Sequence, residues 1–408
     1  MNIVIQYQHL VAFCVALIVA FFSTPIVRRI AFSSGAIDIP KDNRRMHKKP
    51  MALMGGLAII VGFSLAILYS FASKDLKKFL ESLVQPKILG LIFGVLIIVI
   101  LGIIDDIKPL KARVKFPVQL LAAVIVVATG TRITSITKPF QGVAASGMTY
   151  ILGETLAFLI SVLWIVGVTN AINLIDGLDG LAAGVSGIAA LSLFIVAVIR
   201  GQDGIALVSV SLVGAIFGFL PYNFNPAKIF MGDTGAMFLG FILATLSIEG
   251  TLKSVTVLAL AIPILVLGLP IFDTLFAILR RVANGKPIGQ ADRGHLHHRL
   301  LDMGLSHRMA VIILYIISGA LGLFSIALVD KGLLPSLILL IIIVMFIIGG
   351  ARHMSEINVT PPVNDPTAKT SENGVSDEAR LEAASDSNEI KEENGENNKK
   401  VKQENEKN

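Results

Sequence analysis

The chain has 408 residues, of which 54% are hydrophobic and 16% charged, with a mean hydropathy of +0.75. These values exceed what a water-soluble domain of this size carries, so a soluble globular fold is excluded and a polytopic membrane protein is predicted. The formal net charge is +6, and the single cysteine, Cys14, excludes an intrachain disulfide or a cysteine-rich metal site.

Stretches of roughly 17 or more mostly apolar residues mark membrane helices. With shorter ones admitted where the spacing demands, they predict an all-α fold of eleven transmembrane helices. These lie near residues 9–27, 53–71, 88–104, 116–130, 150–169, 181–199, 205–220, 231–248, 255–278, 311–329 and 334–350. The gaps after odd-numbered spans hold 18 Lys or Arg, and the even gaps together with the N-terminus hold 9. The positive-inside rule then places the odd gaps and the C-terminus in the cytoplasm and the N-terminus outside. The first span lacks a basic n-region and is followed by Arg28 and Arg29, which fits a retained anchor better than a cleaved signal. From Ala351 onward 8 basic residues face 13 acidic ones, with almost no large apolar side chains. This predicts a membrane domain over 1–350 and a disordered cytoplasmic tail over 351–408. Residues 1–350 carry +11; positive-inside topology accounts for most of that excess, and it also suits anionic headgroups and phosphate-bearing substrates.

Asp105 and Asp106 close the third span. Two carboxylates there oppose the negative end of the helix macrodipole, and an Asp nearer the bilayer centre costs roughly 2.5–3.5 kcal/mol, so a cationic partner is expected. Asp176 and Asp179 follow span 5, Asp233 opens span 8, and His295, His297 and His298 follow span 9. All fall on the side assigned to the cytoplasm. Residues 1–350 contain only 16 Asp or Glu, five of them in these clusters. A shared site at the cytoplasmic interface is therefore expected. Asp179 and Asp233 each also suit an N-cap of the span that follows, whereas the Asp105–Asp106 pair cannot cap span 3. The glycines beside them serve either helix packing or close backbone approach to phosphate or metal.

Carboxylates without cysteine point to a hard cation such as Mg²⁺, which uses one or two carboxylates plus substrate phosphate oxygens and would stabilise charge on a pyrophosphate leaving group. The histidines of DRGHLHHRL are alternatively zinc ligands or an inert loop, but Arg293 and Arg299 alongside favour phosphate recognition. Arg44, Arg45, His47, Lys48 and Lys49 precede span 2, as a basic anchor or a diphosphate clamp. Asn223, Asn225 and Phe230 lie close to Asp233; Phe230 suits nucleobase stacking or an ordinary interfacial aromatic.

The series LGIIDDI, NAINLIDGLDGLAAG, YNFNPAKIFMGDTGAMFLG and DRGHLHHRLLDMGLSHR, on alternating gaps, resembles the polyprenyl-phosphate N-acetylhexosamine-1-phosphate transferase superfamily, glycosyltransferase family 4. The likeness covers roughly residues 10–350. It implies transfer of a sugar 1-phosphate from a UDP-sugar to a polyprenyl phosphate with Mg²⁺, or Mn²⁺ as an alternative, releasing UMP. On the matching positions it implies that Asp105 and Asp106 lie near the lipid phosphate and that Asp233 is the metal ligand. Asp176 and Asp179 match the substrate-binding acidic motif, with Asn173 beside them, and Asn223 and Phe230 match positions implicated in uridine binding. Lys48, or Lys49 in a shifted alignment, matches a basic residue near the diphosphate. The HLHH segment, with His295, His297, His298, Arg293 and Arg299, resembles the branch that uses UDP-N-acetylglucosamine and undecaprenyl phosphate to begin teichoic acid, O-antigen or related glycans. The muramoyl-pentapeptide branch is the runner-up. The resemblance further implies a multi-pass protein of the bacterial plasma membrane with a cytoplasmic active site, the lipid bilayer as partner, no nucleic acid, and a homodimer as an allowed assembly.

A secondary transporter would place its ionisable groups near the bilayer midplane on repeated halves, whereas these clusters sit at one edge and no internal repeat is evident. A CDP-alcohol phosphotransferase would need further aspartates downstream of the Asp-Gly motif, and residues 185–202 contain none. The expected chemistry is direct attack by the lipid phosphate on the β-phosphorus, with Asp105 or Asp106 either removing a residual proton or holding the phosphate and metal. A covalent aspartyl intermediate is the alternative.

Overall fold

The computed structural model describes residues 6–40, 50–73, 80–81, 83–137, 149–251, 261–285 and 294–330, together with positions 338 and 341. Lys48, Arg293, the last expected span apart from positions 338 and 341, and the expected tail lie outside the described residues. The helices are α1 (Tyr7–Ser34), α2 (Gly56–Ala72), α3 (Pro86–Ile107), α4 (Ala112–Ala128), α5 (Glu154–Ile175), α6 (Leu181–Ile199), α7 (Asp203–Asn223), α8 (Gly232–Thr251), α9 (Ala261–Val266), α10 (Gly268–Ala283), α11 (Leu296–Asp302) and α12 (His307–Asp330). Six of them, α1, α3, α5, α6, α7 and α12, are long and apolar enough to cross a membrane. The chain is therefore a mostly helical, polytopic membrane protein.

Two antiparallel pairs interrupt the all-helical expectation: β1 (Ile37–Asp38) with β2 (Met51–Ala52), and β3 (Ser135–Thr137) with β4 (Thr149–Ile151). The first pair is extended by a bond from Leu53 N–H to Ala36 O and then by the segment before α8. Phe230 N–H donates to Ala52 O, Gly55 N–H to Phe230 O, and Gly56 N–H to Met231 O, at 2.9, 3.0 and 2.8 Å. Chain entering α2 and chain entering α8 thus satisfy each other's backbone groups, as buried peptide groups must.

The ninth expected span is not continuous. Pro270 supplies no N–H, and the chain breaks at Leu267 between α9 and α10. α8 is the central helix and is apolar on every face, as a helix surrounded by others must be; only Asp233 and Glu249 among residues 232–250 are not buried. It packs on α2, α3, α5 and α6. The approach to α3 requires glycine, because a Cβ on Gly102 would collide with the Thr234 backbone. α1 lies against α2 and α7 through the buried stripe Ala12, Ala16, Ala20, Thr24, Val27 and Ala31. This packing brings the C-terminal ends of α3 and α5 to the N-terminal end of α8.

Candidate functional site

At that end of the bundle a cleft of about 1640 Å³ is lined by residues from 37–39, 51–53, 105–115, 173–179, 223–233 and 298–307. Each stretch belongs to, or borders, a gap after an odd-numbered span, so the acidic clusters do share one face. Asp105, Asp106, Asp176, Asp179, Asp233, Asn173, Asn223, Phe230 and His298 all line it.

The adjacent aspartates diverge because successive helical residues point about 100° apart. Asp106 accepts from the Asp233 N–H at 2.8 Å, the Thr234 N–H at 3.2 Å and the Thr234 hydroxyl at 2.6 Å. It thereby serves as the N-terminal cap of α8 from another helix, where the dipole favours an anion. Gly232, at φ +74°, makes this contact possible, since a Cβ there would lie 2.6 Å from the carboxylate. Asp105 instead accepts the Leu110 N–H at 2.6 Å and pairs with Lys115. Lys115 Nζ also lies 3.4 Å from Asp233 Oδ2, while Asn173 donates to Asp233 Oδ1 at 2.5 Å. Lys115 is the cation that the acidic pair required. The side chain of Asp105 is 1% exposed and that of Asp233 31%, so Asp233 is the more open carboxylate.

Asp176 follows the last residue of α5 and faces the cleft half-buried. Burial, followed by the charges of Asp233, Asp106 and Asp179, pushes its carboxyl up to about 8. Asp179 does not cap α6, whose N-cap is Gly180. Its Oδ2 accepts from Asn225 Nδ2 at 2.9 Å and the Ala227 N–H at 3.1 Å, and its own N–H donates to His307 Nε2 at 2.9 Å. Asp179 therefore ties the 223–230 turn to the start of α6. Asn223 steadies the same turn by donating to Ile229 O at 3.1 Å. Asp233 likewise is no N-cap, since its carboxylate faces Lys115 and Asn173.

The histidine segment divides. His298 lines the cleft, whereas His295, His297 and Arg299 do not. His297 is buried behind the wall, where its Nε2 fills the space that a Cβ on Gly177 would need. Burial, reinforced by neighbouring His298, pushes its imidazole down to about 4, so it is neutral near pH 7. His295 is buried with Nδ1 2.9 Å from Asp273 Oδ2, and Arg299 is exposed.

No group of three or more His, Cys, Asp or Glu side chains suited to a metal occurs among the described residues. Asp233, joined by Asp176 when a bound ion displaces the proton that Asp176 otherwise holds near neutral pH, is a donor set that fits Mg²⁺ only with phosphate oxygens and water completing the shell, which is how that ion is commonly held. Lys115 and His307 were not singled out in the sequence. Lys115 is one of four basic residues within 108–115, all of which also serve positive-inside topology, and only the α4 turn distinguishes it.

The motifs, the helical bundle and the acidic cleft together define a membrane phosphoglycosyl transferase class. Residues 88–251 match the family described as glycosyl transferase family 4. A probable undecaprenyl-phosphate N-acetylglucosaminyl 1-phosphate transferase of Bacillus subtilis is 44% identical over 336 residues, covering 82% of this chain and 89% of that one. A decaprenyl-phosphate N-acetylglucosaminephosphotransferase of Mycolicibacterium smegmatis is 37% identical over 339 residues, covering 78% and 82%. A phospho-N-acetylmuramoyl-pentapeptide-transferase of Staphylococcus aureus is 30% identical over 333 residues, covering 76% and 96%. This chain belongs to glycosyltransferase family 4.

Proposed function

We propose that this protein transfers N-acetylglucosamine 1-phosphate from UDP-N-acetylglucosamine to undecaprenyl phosphate, releasing UMP, at the cytoplasmic face of a bacterial plasma membrane. One observation carries the reading: in a chain of this family, seven aspartates, among them Asp105, Asp106, Asp176, Asp179 and Asp233, line a single cleft together with Lys115, Asn223 and Phe230. Pockets for one small ligand hold about 300–1,000 Å³, so about 1640 Å³ leaves room for a nucleotide sugar and a lipid headgroup together. The 44% and 37% identical relatives favour the N-acetylglucosamine donor over the pentapeptide donor.

In this reading Phe230 stacks on the uracil, and Asp179 and Asn223 hold the turn that presents it. Ile37, Ile39, Met51, Leu53 and Leu110 give one side of the cleft an apolar wall, suited to the first isoprene units. An oxygen of the lipid phosphate attacks the β-phosphorus, the bond from that phosphorus to the oxygen bridging to the α-phosphorus breaks, and the electron pair leaves with UMP. The acceptor phosphate is already ionised near neutral pH, so no strong base is required. Mg²⁺ held by Asp233, with Asp176 beside it, would neutralise charge on the pyrophosphate. Lys115 keeps Asp105 and Asp233 from repelling the anionic substrates, and His298 faces the diphosphate-sugar end. Eleven spans, an external N-terminus and a cytoplasmic C-terminus complete the proposed topology.

Purified full-length protein, offered undecaprenyl phosphate, Mg²⁺ and a panel of UDP-sugars, is expected to release UMP and form lipid-linked product with UDP-N-acetylglucosamine, and to stop when the metal is chelated. Turnover with UDP-N-acetylmuramoyl-pentapeptide in its place would move the protein to the other branch.

A further inference from the structure

α11 has seven residues, too few to hold a helix in place by itself, yet it carries the only one of the three clustered histidines that reaches the cleft. Its anchorage comes from α10. Asp273 Oδ1 accepts the Leu296 N–H at 2.7 Å, and Asp273 Oδ2 lies 2.9 Å from His295 Nδ1. Seven residues on, Arg280 Nη1 donates to Gly294 O at 2.8 Å. A separation of seven places both side chains on one face of α10, so a single helix face grips three consecutive residues at the entry to α11. The pair is enclosed, with the side chains of Asp273 and His295 7% and 8% exposed. A carboxylate opposite Nδ1 requires that nitrogen to carry the proton, which fixes the ring's tautomer and orientation.

From there the geometry is relayed by ring contacts. The His295 ring lies parallel to His297, with centroids 5.8 Å apart at 10°, and the His297 ring packs 4.2 Å from His298. His297 in turn abuts Gly177 in the Asp176–Asp179 turn. Asp273 does not line the cleft.

We propose that Asp273 is a positioning residue whose carboxylate sets the start of α11 and the orientation of His295, and through them places His298 against the diphosphate-sugar end of the donor. This rests on the donor reading above. Because Asp273 lies behind the wall, its removal should disturb the sugar-diphosphate end and leave the nucleoside end intact, which separates positioning from a general loss of structure.

The test uses full-length protein in lipid nanodiscs, comparing wild type with Asp273→Asn, Asp273→Glu, His298→Ala and the Asp273→Asn/His298→Ala double variant. Loss of a charge-assisted bond predicts that Asp273→Asn raises KM for UDP-N-acetylglucosamine about tenfold or more, while UMP affinity stays within about twofold. Asp273→Glu recovers part of the loss, and the double variant is no worse than His298→Ala alone. Hydrogen exchange over 294–302 accelerates in Asp273→Asn and is unchanged over 207–223. Wild-type KM, loss of UMP affinity in proportion to the KM effect, multiplicative damage in the double variant, or unchanged exchange over 294–302 would each overturn the proposal. Wild-type protein that transfers nothing would sink the donor reading alone, since the exchange measurement still decides whether Asp273 holds α11.

Discussion

Asp105 and Asp106 are neighbours in the chain with separate partners: Lys115 and the Leu110 amide for the first, the N-terminus of α8 for the second. Asp106→Asn removes the charge that faces three donors and leaves a single amide oxygen to accept, so it is expected to lower the thermal midpoint of the purified protein, at a cost on the order of 2 kcal/mol. Asp105→Asn frees Lys115 to pair with Asp233 alone, so it is expected to cost turnover more than stability. Equal thermal midpoints and equal turnover in the two variants would show that the divergence has no consequence. Asp176 provides a pH test. Its folded carboxyl, at about 8, lies above the ordinary 3.8, so the folded state holds this proton more tightly and the group's contribution to stability falls as pH rises from about 4 to about 8. Asp176→Asn abolishes that slope, and is expected to melt higher than wild type at pH 8.5 with the gain shrinking towards pH 4. A gain independent of pH would contradict the assignment.

Between elements, two contacts decide whether the carboxylates meet. α3 and α8 touch at Gly102, where any Cβ collides with the Thr234 backbone. Gly102→Val is therefore expected to separate Asp106 from the start of α8 and to lower kcat at least about tenfold, as ångström-scale misplacement does. Full activity in a folded Gly102→Val protein would mean that α3 and α8 tolerate a wider spacing. The turn before α8 is held by Asp179 through Asn225 and Ala227. Asp179→Ala is expected to weaken UMP binding about tenfold by freeing Phe230, with little effect on lipid-phosphate affinity. The opposite pattern, measured by UMP calorimetry and acceptor KM, would place Asp179 at the acceptor.

At the scale of the whole molecule, the excess of basic residues in alternate gaps predicts sidedness. In a Cys14→Ser background, Asn2→Cys is expected to react with an impermeant maleimide from outside intact cells, and Arg352→Cys only after the cytoplasmic face is opened. Reversed labelling would put the acidic cleft on the outer face and remove the cytoplasmic nucleotide sugar from its reach.

The sequence by itself determined the class, the gathering of the acidic clusters at one end of the bundle and the need for a cation beside the Asp105–Asp106 pair, because hydropathy, charge spacing and local motifs are properties of short stretches of chain. It also placed α6 at 181–199, where the structure has Leu181–Ile199. It did not separate the directions of Asp105 and Asp106, turn His297 inward and His298 outward, select Lys115 among four basic neighbours, or break the ninth span at Leu267. Only the tertiary structure decided these, since each depends on a partner distant in sequence. Asp106 meets the Asp233 backbone across 127 positions, and Asp179 meets His307 across 128. A side chain's direction follows from helix phase and from which backbone groups still lack partners, and neither is defined until the helices have packed.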